Sequence, residues 1–209
     1  TEPVKLVITN YPEDKCEEFD VPNNPRDEAA GMRKVPFTRE LYIEKSDFAE
    51  VPPPKFQRLK PDGEVRLMGA YIVKCNEVVK DENGEIVEIR CTADLETGNG
   101  MPADGRKVKG TIHWVSAAHA VDTDLYLYDN LFTLENVNDV PEGTDYLDYL
   151  NPDSLKKLTG CKLEPSLKDA KEGERFQFVR MGYYVKDREE GRFNRIVTLK
   201  DSFAKTLQK

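Results

Sequence analysis

Hydrophobic and polar residues alternate with a period of two along much of this 209-residue chain, the pattern of strands with one buried face. Val4-Lys5-Leu6-Val7-Ile8 reads as a strand that ends at Asn10-Tyr11-Pro12. Val65-Arg66-Leu67 and Tyr71-Ile72-Val73 form a second run, and Ile86 to Cys91 returns after Asn83-Gly84, a strong hairpin cue. The clearest alternation runs from Lys107 to Trp114: Val108, Ile112 and Trp114 share one face, and Lys107, Lys109, Thr111 and His113 the other. Leu125 to Tyr128, Arg175 to Val179 and Arg192 to Leu199 repeat the pattern. Short helical turns are expected after Ser46, at Ser116 to Ala120 and after Asn151-Pro152-Asp153, with no long amphipathic helix. Many short strands with frequent turns predict an all-β protein built as barrels or a sandwich.

Thirteen Pro and thirteen Gly punctuate these runs. Pro52-Pro53-Pro54 reads as a stiff connector and a seam between subdomains. The four cysteines, Cys16, Cys75, Cys91 and Cys161, show no CxxC spacing. A two- or four-residue loop at Asn83-Gly84 places Cys75 and Cys91 on opposite faces of the hairpin, which argues against a disulfide between them.

Composition adds that the chain is globular: 38% hydrophobic, 33% charged, with a mean hydropathy of -0.65. No run approaches the ~18 apolar residues of a spanning helix, so no membrane association is expected. The start at Thr1 has neither a basic nor an apolar leader segment and no initiator Met, which suggests an excised piece of a longer protein. Free cysteines and no export signal point to the cytoplasm. The net charge of -8 conceals an asymmetry. Residues 1–54 carry net -5, residues 55–109 are neutral, residues 110–154 carry -9 with no Lys or Arg, and residues 155–209 carry +6. The basic end can meet phosphate while the acidic stretch faces elsewhere.

Catalytic patterns are weak. There is no GxSxG, Walker loop or HExxH. The glycines around Asp104-Gly105-Arg106-Lys107 lack phosphate-loop spacing. His113 and His119 read as structural rather than as metal ligands, and Asp122 and Asp124 as exposed loop charges. No catalytic or metal residue is assigned. More suggestive are Lys55-Phe56-Gln57-Arg58-Leu59-Lys60 and Arg175-Phe176-Gln177-Phe178-Val179-Arg180, which mix cations and amides with aromatic rings. Such groups bond the edges and faces of unpaired RNA bases. Phe176 and Phe178 read as core on one strand face, which leaves Gln177 on the other. In an ideal strand Arg180 faces away from Gln177, so their convergence needs the strand to end or bulge near Met181-Gly182.

Ala103-Asp104-Gly105-Arg106-Lys107-Val108-Lys109-Gly110-Thr111-Ile112-His113-Trp114-Val115-Ser116 closely resembles a signature of the glutaminyl-tRNA synthetases. Val35 to Ile43, Glu64 to Leu67 with Ala70-Tyr71, Glu164 to Asp169, and Phe193-Asn194-Arg195 resemble further blocks of that family in the same order, over nearly the whole chain. The resemblance is to the C-terminal anticodon-binding region of a class I synthetase of the glutamyl/glutaminyl subfamily, without the HIGH and KMSKS signatures. It implies two β-barrels: a proximal one from residues 1–47 and 141–209, and a distal one from residues 48–140. It implies that Gln177 and Arg180 read the middle anticodon base, a uridine, and that Arg58 reads the third, a guanine. Lys55, Gln57 and Arg66 fall around the first and third bases and the nearby backbone. Gln57 stands where a lysine can occur, Met68 where a second arginine can follow Arg66, and Phe203 where Trp is common. A further reading arginine of the family would lie before Thr1. The implied partners are the anticodon loop of tRNA(Gln) and the chain's own catalytic domain, in a monomer. No cofactor is expected in this part, whereas ATP and Mg belong to the catalytic domain, so the piece alone is expected to be inactive. Competing readings are a stand-alone ribosomal-RNA-binding barrel, a small β-barrel enzyme, and an acidic interaction scaffold built on residues 110–154.

Overall fold

The structure is a computed structural model in which residues 1–136 and 138–199 are described; Phe203 lies outside them. The chain forms two compact units, one of Thr1–Asp122 with Lys162–Asp169 and one of Thr123–Cys161 with the residues from Ala170 onward. Both are all-β, with only 3-10 turns of three or four residues beside the strands among the described residues. No helix there is long and apolar enough to cross a membrane.

Nine strands lie in the first unit: β1 (Pro3–Ile8), β2 (Glu17–Pro22), β3 (Met32–Phe37), β4 (Glu40–Glu44), β5 (Glu64–Leu67), β6 (Ile72–Lys80), β7 (Ile86–Asp94), β8 (Thr111–Ile112) and β9 (Trp114–Ser116). Seven make one sheet in the order β8-β5-β6-β7-β1-β4-β9, and β2 and β3 form a separate hairpin. The two edge strands, β8 and β9, are consecutive in sequence. Thr111 and Ile112 pair with Arg66 and Leu67 of β5, and Trp114 to Ser116 pair with Leu41 to Ile43 of β4. One short segment thus joins both edges and nearly closes the sheet into a barrel, which hides edges that would otherwise stay unpaired.

The alternation of residues 107–114 survives in burial. Ile112 and Trp114 are buried, and Lys107, Lys109 and Thr111 are exposed. The strand itself breaks at His113, where the chain changes edges. Leu6, Ile8, Phe37, Leu41, Leu67 and Ile89 fill the interior beside Trp114. Tyr11, Phe19, Phe37 and Tyr71 meet mostly edge to face, with Phe37 at the centre. Glu17 satisfies the buried ring hydroxyls: its Oε1 accepts from Tyr11 at 2.7 Å and Tyr71 at 2.6 Å.

Three expectations change around the first unit. Because β1 pairs with both β4 and β7, residues 1–47 share a sheet with residues 64–116, and the units do not divide at 48 and 140. Pro52-Pro53-Pro54 lies inside the first unit. Leu59 donates to the Asp47 carbonyl at 2.9 Å, and Ala49 to the Leu59 carbonyl at 3.1 Å, so hydrogen bonds on both sides of the prolines tie this loop down. Cys75 and Cys91 are directly opposed and buried, not on opposite faces. The connection Asp81–Glu85 holds an odd number of residues, and two register shifts along the hairpin offset one another. Both remain free thiols.

The second unit is built on β10 (Val121–Tyr128), β11 (Leu155–Leu163), β12 (Arg175–Phe178), β13 (Gly182–Lys186) and β14 (Arg192–Val197), ordered β11-β10-β14-β13-β12. Leu125, Cys161, Tyr184 and Phe193 are its buried hydrophobic residues among those described. Asp122 and Asp124 stand on β10 rather than in a loop. Each pairs with a lysine of β11, Asp122 with Lys162 and Asp124 with Lys157.

Candidate nucleic-acid interface

In the first unit the loop after Pro54 carries Lys55, Gln57 and Arg58. Phe56 donates to the Pro53 carbonyl at 3.1 Å, which tightens the turn. Lys55 is exposed at φ 65, a left-handed conformation that costs a residue with a Cβ about 1–2 kcal/mol. Only Lys55, Asp62 and Arg180 among the described non-glycine residues have positive φ. Two of those three are candidate base readers, and strained backbone gathers at functional sites.

Gln57 is exposed, and its carbonyl oxygen lies against Gly110. A Cβ at Gly110, which sits at φ +95, would come 1.9 Å from that oxygen. The Gly110 carbonyl in turn accepts from the Arg66 amide at 3.1 Å. Gly110 thereby brings the backbones of Gln57 and Arg66 together, and the exposed Lys107 and Lys109 precede it in sequence.

The two arginines are held differently. Arg58 Nη1 donates to the Ser46 carbonyl at 2.9 Å, and Nε lies 3.5 Å from Asp47 Oδ1. Arg66 Nη1 donates to the carbonyls of Ala70 at 2.9 Å and Gly98 at 3.0 Å, and Nη2 to that of Gly100. Its guanidinium therefore clamps the loop at residues 97–100 onto β5. Met68 is half-buried, and its carbonyl accepts from Trp114 Nε1 at 3.0 Å.

In the second unit Phe176 and Phe178 turn inward as their spacing predicts. Phe178 stacks on Tyr184 with centroids 4.3 Å apart, and Phe176 meets Phe193 edge-on at 6.1 Å. Gln177 is exposed on the opposite face. The strand ends at Phe178, and Met181 donates back to the Phe178 carbonyl at 2.9 Å. Arg180 occupies this turn at φ 63, which frees it from strand alternation; Gln177 and Arg180 sit on one hairpin. Across the hairpin Gln177 pairs with Tyr183, which is 40% exposed. Tyr183 carries no signal of its own in the sequence, because it faces Gln177 only once the chain turns at Met181-Gly182. The same holds for Ser46 and Asp47: the sequence shows only a helical turn after Ser46, with nothing to tie it to Arg58.

Two family models described as "tRNA synthetases class I (E and Q), anti-codon binding domain" match residues 1–94 and 111–187. The chain belongs to this family. Among curated relatives, the glutamine–tRNA ligase of Pseudomonas syringae pv. tomato is 48% identical over 206 residues, covering 96% of this chain and 36% of the relative. That of Xanthomonas campestris pv. campestris is 52% identical over 209 residues, 98% of this chain and 36% of the relative. That of Ectopseudomonas mendocina is 52% identical over 206 residues, 96% of this chain and 37% of the relative. The chain spans little more than a third of the length of these relatives. As an anticodon-binding domain of the class I synthetases it is a tRNA-binding module.

Proposed function

We propose that this chain reads the anticodon of tRNA(Gln) for a glutamine–tRNA ligase whose catalytic domain lies outside it. Arg58 recognises guanine at the third anticodon position; Gln177 and Arg180 recognise uridine at the middle one. Lys55 and Gln57 contact the adjacent bases or backbone, whereas Arg66 contributes from β5 while clamping its loop. The observation that carries the reading is the pair of turns bearing Lys55 and Arg180, each in a left-handed conformation beside an exposed glutamine. An amide offers a donor and an acceptor to a base edge, whereas phosphate needs donors only.

The intact ligase would act in the cytoplasm as a monomer, joining glutamine to its tRNA with ATP and Mg bound by the catalytic domain. The present residues offer no phosphate loop for that nucleotide, so this chain alone should show no ATP–pyrophosphate exchange.

The test is binding of tRNA(Gln) and of anticodon-swapped variants across a salt series. Arg58→Ala should cost about 1–3 kcal/mol for an anticodon ending in guanine and far less for one that does not. Gln177→Ala should behave likewise toward the middle uridine. Equal losses on all anticodons, with a salt slope flattened by about one unit, would mark phosphate contacts instead.

A further inference from the structure

We propose that Asp47 is the positioning residue for Arg58, a buried carboxylate that fixes the plane of the guanidinium before RNA arrives. The proposal rests on the reading that Arg58 recognises the third anticodon base. Asp47 closes the 3-10 turn Lys45–Asp47 and is only 3% exposed. Carboxylates are rarely so buried without a charged or hydrogen-bonding partner, because losing water disfavours the ionised form. Facing it is Arg58 Nε, 3.5 Å from Oδ1, on a side chain 16% exposed. Arg58 Nη1 is anchored separately to the carbonyl of the preceding residue, Ser46, at 2.9 Å. Two anchors on neighbouring residues of one tight turn constrain both the position and the plane of the fork.

The turn is itself immobilised. Phe48 and Leu59 are core residues that bridge one another, Leu59 donates to the Asp47 carbonyl, and Ala49 donates to the Leu59 carbonyl. Carboxylate and guanidinium are therefore carried by two segments stitched together through Leu59, the neighbour of Arg58. This matters because guanine presents its two acceptors along one edge, and a guanidinium reads them together only when coplanar with the base. An arginine ordered only on contact loses affinity to that ordering and meets phosphate as readily as a base edge. The Asp47 charge also offsets that of Arg58, which weakens generic attraction to phosphate and leaves the geometry-dependent contact dominant. Asp47 acts through Arg58 and so should control discrimination more than affinity.

The experiment measures binding of this chain to tRNA(Gln) transcripts with anticodons CUG and CUA. Asp47→Asn keeps shape and hydrogen-bonding capacity but removes the charge. It should cut the preference for CUG about tenfold, with affinity for CUA unchanged or higher. Arg58→Ala should abolish the preference, and the double variant should lose no more than Arg58→Ala alone. A wild-type preference in Asp47→Asn, or additive losses in the double variant, would overturn the positioning role while leaving base reading intact. A wild-type preference in Arg58→Ala would overturn the base reading itself, and the positioning role with it. In the unmodified chain, NMR relaxation at Arg58 Nε should show an ordered side chain, against a mobile one at the exposed Arg26. Equal mobility at the two would overturn the proposal without any variant having to fold.

Discussion

Arg33 and Glu164, 131 residues apart in sequence, form a two-point ion pair in which Nε donates to Oε2 at 2.6 Å and Nη2 to Oε1 at 2.8 Å. His113 Nε2, on the residue where the barrel segment changes edges, donates to the same carboxylate at 2.8 Å. The three residues fasten β3, the β8–β9 junction and the segment after β11 together. Burial opposes the ionised form of Glu164, but the bonds from Arg33 and His113 outweigh it and hold its pKa down to about 2. A carboxylate whose pKa is depressed in the folded state stabilises the fold above its unfolded value, and that contribution disappears as pH falls through the folded value. Stability should therefore decline between pH about 4.5 and about 2, by on the order of 3 kcal/mol from this group. Glu164→Gln should flatten that part of the curve and lower the unfolding free energy at neutral pH, both measurable by denaturant titration across pH.

Gly110 should tolerate no side chain. Its φ of +95 disfavours any other residue, and a Cβ would overlap the Gln57 carbonyl at 1.9 Å, an obstacle of backbone rather than of a flexible chain end. Gly110→Ala is expected to destabilise the first unit by on the order of 2–3 kcal/mol. Because the displaced backbone is that of Gln57, tRNA binding should weaken together with stability. Thermal unfolding and a binding titration on the same preparation check both.

Arg66 should behave as a clamp. With its guanidinium bound to the carbonyls of Ala70, Gly98 and Gly100, Arg66→Ala should lower stability by about 1–2 kcal/mol and raise amide exchange at residues 97–100. A variant with unchanged exchange and a selective loss at one anticodon base would instead make it a reader.

Lys55→Gly separates strain from contact. Removing the Cβ relieves a φ of 65, so stability should stay constant or rise by up to about 1 kcal/mol. If Lys55 contacts the RNA backbone, the same change should weaken binding and reduce the salt slope by about one. A loss of stability would contradict the strain argument.

The acidic stretch should lie away from RNA. Asp122 and Asp124 are poor probes because Lys162 and Lys157 neutralise them, so the exposed Glu135 and Glu142 serve better. Glu135→Gln with Glu142→Gln should leave tRNA affinity nearly unchanged, since charges farther than a Debye length of roughly 8 Å are screened. A marked gain in affinity would place that face at the phosphates.

The sequence alone determined the class and much of the chemistry. Period-two alternation marked the faces of Ile112 and Trp114, of Phe176 and Phe178, and hence of Gln177, because side-chain direction in a strand is a local property. The ordered family blocks identified the anticodon-binding family, and basic residues interleaved with aromatics marked both candidate turns. Tertiary structure alone decided which strands pair. The parallel pairing of β1 with β7 and the switch of edges at His113 bring together residues far apart in sequence, and nothing in their local patterns encodes those partners. Register was equally hidden: a connection with an odd number of residues puts Cys75 opposite Cys91 where simple alternation separates them, the two register shifts between them cancelling. So were the partners of the charged groups. Asp47, Arg58 and Arg66 look alike as surface charges in the sequence, and only the packed backbone makes one a buried anchor, one a poised fork and one a clamp, because desolvation and carbonyl geometry exist only once the chain has folded.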